Sequence, residues 1–275
     1  MGAQKALASG GFEAFIKNHL VLGGVFTTTG IEKYLREKAL PSNKFEDLVS
    51  DLFVVATQLD YSRKSIFSKY KNLKPRPEHQ AVYDSSVKIS EACAASTALP
   101  PIYHPYPLKV DGETVYYYDG EIRETLSTHV AKDIGSDLVI ASYTHQPYHF
   151  RPEVGSLADY GITHVMIQAI YQAVEQKIHT SRRLWQNKKI ALETVNQFFK
   201  DAGLSDSKRA ELCALLEEKL QFNKDTDYVF IHPLPNDYRL FMSDHFNLSE
   251  KYMIRMVKSG FKAGIYHLRD YEFHE

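Results

Sequence analysis

A strand-like run, Thr114 to Tyr118, delivers a single carboxylate, Asp119, into a turn at Gly120, and an apolar segment of helical period follows at once. That order of strand, acid, glycine and helix is how a sheet presents a catalytic acid, and it restricts the surrounding fold. The segment ahead of it is rich in small residues and reads as a helix from Ser90, stopped by Pro100 and Pro101, which cannot continue one. Beyond Asp119, Ile122, Leu126, Val130 and Ile134 recur every fourth residue, and Gly135 supplies the stop. Leu138 to Ser142 is a continuous apolar run short enough for a buried parallel strand. Read together, these pieces predict a βαβ unit with Asp119 at the carboxyl end of a strand, where ligands gather in such units.

Other strands and helices extend this pattern. Leu52 to Leu59 is a second buried strand, and Asp60 to Phe67 reads as a hairpin returning along it. Thr27 to Gly30 forms a turn into a helix over Ile31 to Lys38. Further on come helical segments at Thr163 to His179, Ile190 to Phe199 and Lys208 to Leu220, a short strand at Tyr228 to Ile231, and a closing helix, Ser249 to Leu268, broken near Gly260. The expected architecture is a single α/β domain over residues 1–275, sheet-forming to about residue 150 and helix-rich from 151 onward. The four apolar strands are expected to share one sheet covered on both faces.

Composition narrows the function. A formal charge of -1 gives no general attraction to nucleic acid or to an anionic membrane, so a neutral or apolar substrate class is expected. Cys93 and Cys213 both fall in helical segments and read as small buried hydrophobes of a reducing compartment. No signal peptide and no membrane span is read from the sequence, and Ala6 stands where a myristoylation motif wants Ser or Thr. A cytoplasmic or membrane-peripheral protein is the expectation. The phosphate-cradling glycine patterns of nucleotide enzymes are missing, and no metal or cofactor is expected.

Leu52 to Leu59, Ala92 to Ile102, Asp119-Gly120, the Gly135 to Ala141 strand and the closing helix succeed one another as in the patatin-like acyl hydrolases, which this chain resembles along nearly its whole length. The resemblance implies a three-layer α/β/α sandwich and a lipid-cleaving Ser–Asp dyad without histidine. In that family a serine on a Gly-x-Ser-x-Gly elbow attacks the ester, an aspartate of an Asp-Gly motif takes its proton, and a glycine-rich loop holds the oxyanion. Carried over, Asp119 takes the position of the general base and Gly120 that of the turn. The implied ligand is a lipid or acyl ester, with peripheral membrane contact.

Two departures stand out. Gly-x-Ser-x-Gly occurs nowhere in the sequence, and neither does the oxyanion loop; the family's first strands are therefore expected to be missing, leaving an open sheet edge prone to self-association. The nearest imitation, around Ser9, has Leu7 in place of the elbow's first glycine. Glu121 also replaces the motif's second glycine or alanine, a position where a first-turn glutamate suits the helix dipole. Around Asp119, an aromatic loop bearing Tyr103 and Tyr106 either packs or lines an acyl channel. His145 and His149 follow a strand and flank Pro147, so helical ligand spacing does not apply to them, and His232-Pro-Leu-Pro235 reads as loop punctuation. Asp119 itself has a bland alternative as a helix N-cap. Two functions follow: an acyl hydrolase whose nucleophile lies outside this sequence, or an inactive patatin-like module that binds lipid or a protein.

Overall fold

The computed structural model describes residues 26–70, 73, 80–100, 102–144, 146–220, 222–234, 241–242, 249–269 and 271–272. The chain divides into two compact units, Met1–Glu124 and Thr125–Glu275.

The first unit is a five-stranded mixed sheet with helices packed on it. Helix α1, Thr29–Tyr34, continues through a π-helical turn, Leu35–Ala39. Strands β1 (Val54–Gln58) and β2 (Lys64–Phe67) form the expected antiparallel hairpin, with Val54 opposite Phe67 and Thr57 opposite Lys64. Strand β3, Ala81–Asp84, adds to β2 in parallel. Helix α2, Ile89–Ser96, is the predicted small-residue helix; Ala92 and Ala95 are fully buried and let it approach the sheet closely. Strands β4 (Tyr106–Val110) and β5 (Glu113–Asp119) complete the order β3-β2-β1-β5-β4.

Ala56, Phe67, Leu108 and Tyr117 meet Ile89, Ala92 and Ala95 of α2 in one core. The opposite side of β1 and β2 is also buried, since Thr57, Lys64 and Ile66 are all at most 1% exposed. A continuous buried pattern at the centre of the sheet is what the apolar run at Leu52 to Leu59 announces.

The second unit contains helix α3 (Thr128–Asp133) and a two-stranded parallel sheet of β6 (Leu138–Ser142) and β7 (Asp227–Ile231). Between the strands run helix α4, Ile162–Asp201, and helix α5, Asp206–Leu220, the long crossover that parallel neighbours require. Helix α6, Glu250–Leu268, packs on β7.

Mixed α/β architecture is thus observed, while five local expectations are corrected. The four apolar strands do not share a sheet: β1 and β5 lie in the first unit's sheet, β6 and β7 in their own. The stretch after Asp119 is not the helix of a βαβ unit, because Leu126 and Ser127 take left-handed backbone angles (φ 66° and 45°) that separate the short 3₁₀ turn Gly120–Ile122 from α3. Strand β6 is covered on one face only, with Val139 and Ala141 buried and Ile140 48% exposed. The stop at Gly135 is as expected. Its φ of 83° lets the Gly135 and Ser136 N–H groups reach back to the Lys132 and Ala131 carbonyls, a Schellman ending. Helix α6 runs through Gly260 without a break, and α4 is one helix where the sequence reads as two.

Candidate active site around Asp119

Asp119 is the last residue of β5 and stands opposite Ala56 of β1, so its side chain shares the α2-facing side of the sheet with buried Ala56 and Tyr117. Its backbone N–H donates to the Ala98 carbonyl just beyond α2, at 3.1 Å. The end of the small-residue helix and the end of β5 are thereby tied together. One carboxylate oxygen, Oδ1, accepts the Glu121 N–H at 2.9 Å. That is the N-cap contact that Asp favours, closing the 3₁₀ turn Gly120–Ile122.

The capping bond lowers the carboxyl's pKa, but burial raises it more. The net position is about 6, up from 3.8. A carboxylate in this range accepts a proton readily near neutral pH, which an ordinary exposed aspartate does poorly.

Gly120 is fixed by space. A Cβ placed on it would lie 2.4 Å from the Val55 carbonyl oxygen and 3.0 Å from the Val55 carbonyl carbon. Any side chain would push the turn off β1, so only glycine lets Asp119 hold its position. The Val55 carbonyl also accepts the Ser96 hydroxyl at 2.8 Å, which pins α2 to the same strand.

Beside this turn lies a buried polar network that the sequence reading did not single out. Gln58 donates from Nε2 to Ser65 Oγ at 3.0 Å and accepts from Arg63 Nε at 2.6 Å; its Nε2 also lies 3.3 Å from Tyr117 Oη. Lys64, with 2% of its side chain exposed, pairs with Glu124 at 2.6 Å. The signal available in the sequence was polar residues inside an apolar hairpin, at Gln58 and Lys64, where a buried strand otherwise wants none.

The aromatic candidates have separate surroundings. Tyr103 bridges to Phe26, its ring 6.4 Å from the Phe26 ring. Tyr106 lies on β4 opposite Tyr117 and packs on the first unit's core, where burial and the nearby Glu32 and Glu91 carboxylates push its hydroxyl pKa up. Ser9 and His145 lie outside the described residues. His232 belongs to the second unit, stacked on Tyr143 with ring centroids 5.3 Å apart. Both cysteines are free thiols.

Comparison with known families places a patatin-like phospholipase match over residues 8–132. The matched segment takes in β1, α2 and the Asp119-Gly120 turn. The resemblance read from Leu52 to Gly120 is independently met there, while the strand at Gly135 to Ala141 and the closing helix lie beyond the matched segment. No curated protein matches the chain.

Proposed function

We propose that this chain carries the general-base half of a lipid acyl-ester hydrolase, with Asp119 taking the proton of a serine nucleophile. The observation that carries the reading is the Asp119 carboxylate: buried, held by one N–H, raised to about 6 and set by a turn that admits only glycine, within the segment similar to patatin-like phospholipases.

The reaction that suits this base is a two-step acyl transfer. As the serine Oγ attacks the ester carbonyl, its proton passes to Asp119; the protonated carboxyl then gives that proton to the leaving alcohol as the acyl-enzyme forms. Water then attacks the acyl carbon as it loses a proton to the same carboxylate, and that proton passes to the serine Oγ as the acyl–Oγ bond breaks and the fatty acid leaves. The 275 residues contain no Gly-x-Ser-x-Gly, so in this reading the nucleophile comes from outside the sequence and the chain by itself does not turn over ester. That absence also favours a second reading, a patatin-like module that binds lipid or a protein without cleaving.

A chimera separates the two. The glycine-rich loop and elbow-bearing strands of a patatin-like phospholipase are joined ahead of this chain, and a short-chain ester is supplied. Turnover that falls about 10² to 10⁴-fold on Asp119→Asn supports the base. A folded chimera that neither hydrolyses nor labels with a fluorophosphonate favours the binding module, and turnover indifferent to Asp119→Asn refutes the assignment.

A further inference from the structure

Helix α6 places two unlike stripes side by side on its outer surface. Its inner side is settled by contacts within the second unit: Ala263 is buried, and His267 Nε2–H donates to the His232 carbonyl at 3.1 Å. Met253, Val257, Phe261 and Ile265 recur every fourth residue with Ile254 beside them, and they stand 45%, 68%, 69%, 56% and 46% exposed. Lys251, Arg255, Lys258 and Lys262 follow at spacings of four, three and four along the edge of that apolar stripe. Among the described residues none of these four cations is in an ion pair. Glu250 is the helix's single acid.

The cations do not merely dot a convex surface. With Leu234, Ile254, Ser259 and the single carboxylate Glu250 they line an open groove of about 650 Å³, four cations to one acid. An apolar stripe that water penalises, edged by a row of cations, is the pattern of a helix that lies in a lipid interface, its apolar side chains among acyl chains and its cations at headgroup depth. The chain as a whole is nearly neutral, at -1, so this positive row is a local feature and not the overflow of a basic protein.

We infer that the outer face of α6 docks on an anionic lipid surface, with headgroup phosphates in the groove of Lys251, Arg255, Lys258 and Lys262 and with Val257, Phe261 and Ile265 among the acyl chains. Charge complementarity selects this occupant. A second copy of the chain would bring its own cation row against the first, and a neutral bilayer would leave the groove unfilled. The inference rests on α6 and not on Asp119, so it stands or falls separately from the hydrolase reading.

The test is co-sedimentation of the full chain with phosphatidylcholine vesicles, with or without phosphatidylglycerol, at low and high salt. Binding is expected on the anionic vesicles only and should weaken with salt. Each cation removed should cost about fivefold in partitioning, so Lys258→Glu with Lys262→Glu should lose at least about 25-fold. Phe261→Ser should weaken binding while leaving its salt dependence in place, and Asp119→Asn should change nothing. Competition by soluble glycerophosphate, equal binding to neutral vesicles, no binding at all, or a dimer in solution abolished by Phe261→Ser would each overturn the assignment.

Discussion

Replacing Asp119 by Asn should stabilise the protein at pH 8 while destroying its proposed role. The rise of the carboxyl from 3.8 to about 6 corresponds to about 3 kcal/mol of charge-burial penalty. The sign follows from proton counting. Between pH 3.8 and about 6 the folded carboxyl holds a proton that the unfolded chain has released, so stability falls as pH rises through that window and the full penalty remains above it. Asn carries no charge and can still accept the Glu121 N–H, so the cap survives and the penalty disappears. The variant should gain up to about 3 kcal/mol over the parent at pH 8 and nothing below about pH 4. Urea unfolding of both proteins, followed by circular dichroism at several pH values, gives the difference directly. A variant less stable than its parent at pH 8, or a difference that does not change with pH, would show that the carboxylate is held for structure and that its burial carries no strain of charge. Stabilisation on removing a functional group is the usual sign of a site that stability has been traded for.

Gly120→Ala should cost about 1 to 3 kcal/mol or more in the same unfolding assay, because its Cβ would meet the Val55 carbonyl at 2.4 Å; a neutral effect would mean that the turn is not held against β1. Glu124→Gln should destabilise by about 3 kcal/mol, since it weakens the pairing of the buried Lys64 ammonium, and Lys64→Met in the same background should recover part of that loss. The 275-residue chain alone should neither hydrolyse a short-chain ester nor label with a fluorophosphonate, because a base without its nucleophile loses nearly the whole catalytic unit; labelling at Ser9 with turnover would contradict this.

The hairpin of β1 and β2 was legible because a continuous apolar run met a polar turn of suitable length, and both signals are local. The small-residue helix and the Gly135 ending were legible for the same reason. Strand β4 was not: Tyr106 and Pro107 read as part of an aromatic loop, and proline is accepted there because β4 is the sheet's edge. Apolar runs also declare burial without naming a partner, so the pattern of Leu138 to Ser142 could not tell whether it joins β5's sheet or pairs with Tyr228 to Ile231 alone. The break after Asp119 escaped because every-fourth apolar spacing survives a left-handed pair at Leu126 and Ser127, neither of which is a residue that advertises such angles. At the site, the identity and place of Asp119 were readable, whereas its raised pKa depends on how tightly α2 and β1 close over it, and the close approach of Val55 that demands Gly120 exists only in three dimensions.

The most direct test of Asp119 as a general base is the pH dependence of kcat/KM for ester hydrolysis by the chimera that supplies the nucleophile. A base must be deprotonated to act, so the rate should rise with pH through an apparent pKa of about 6, and that limb should vanish, with the rate itself, in Asp119→Asn. A profile flat from about pH 5 to 8, or one whose rising limb survives Asp119→Asn, would contradict the assignment and leave Asp119 as the cap of its turn.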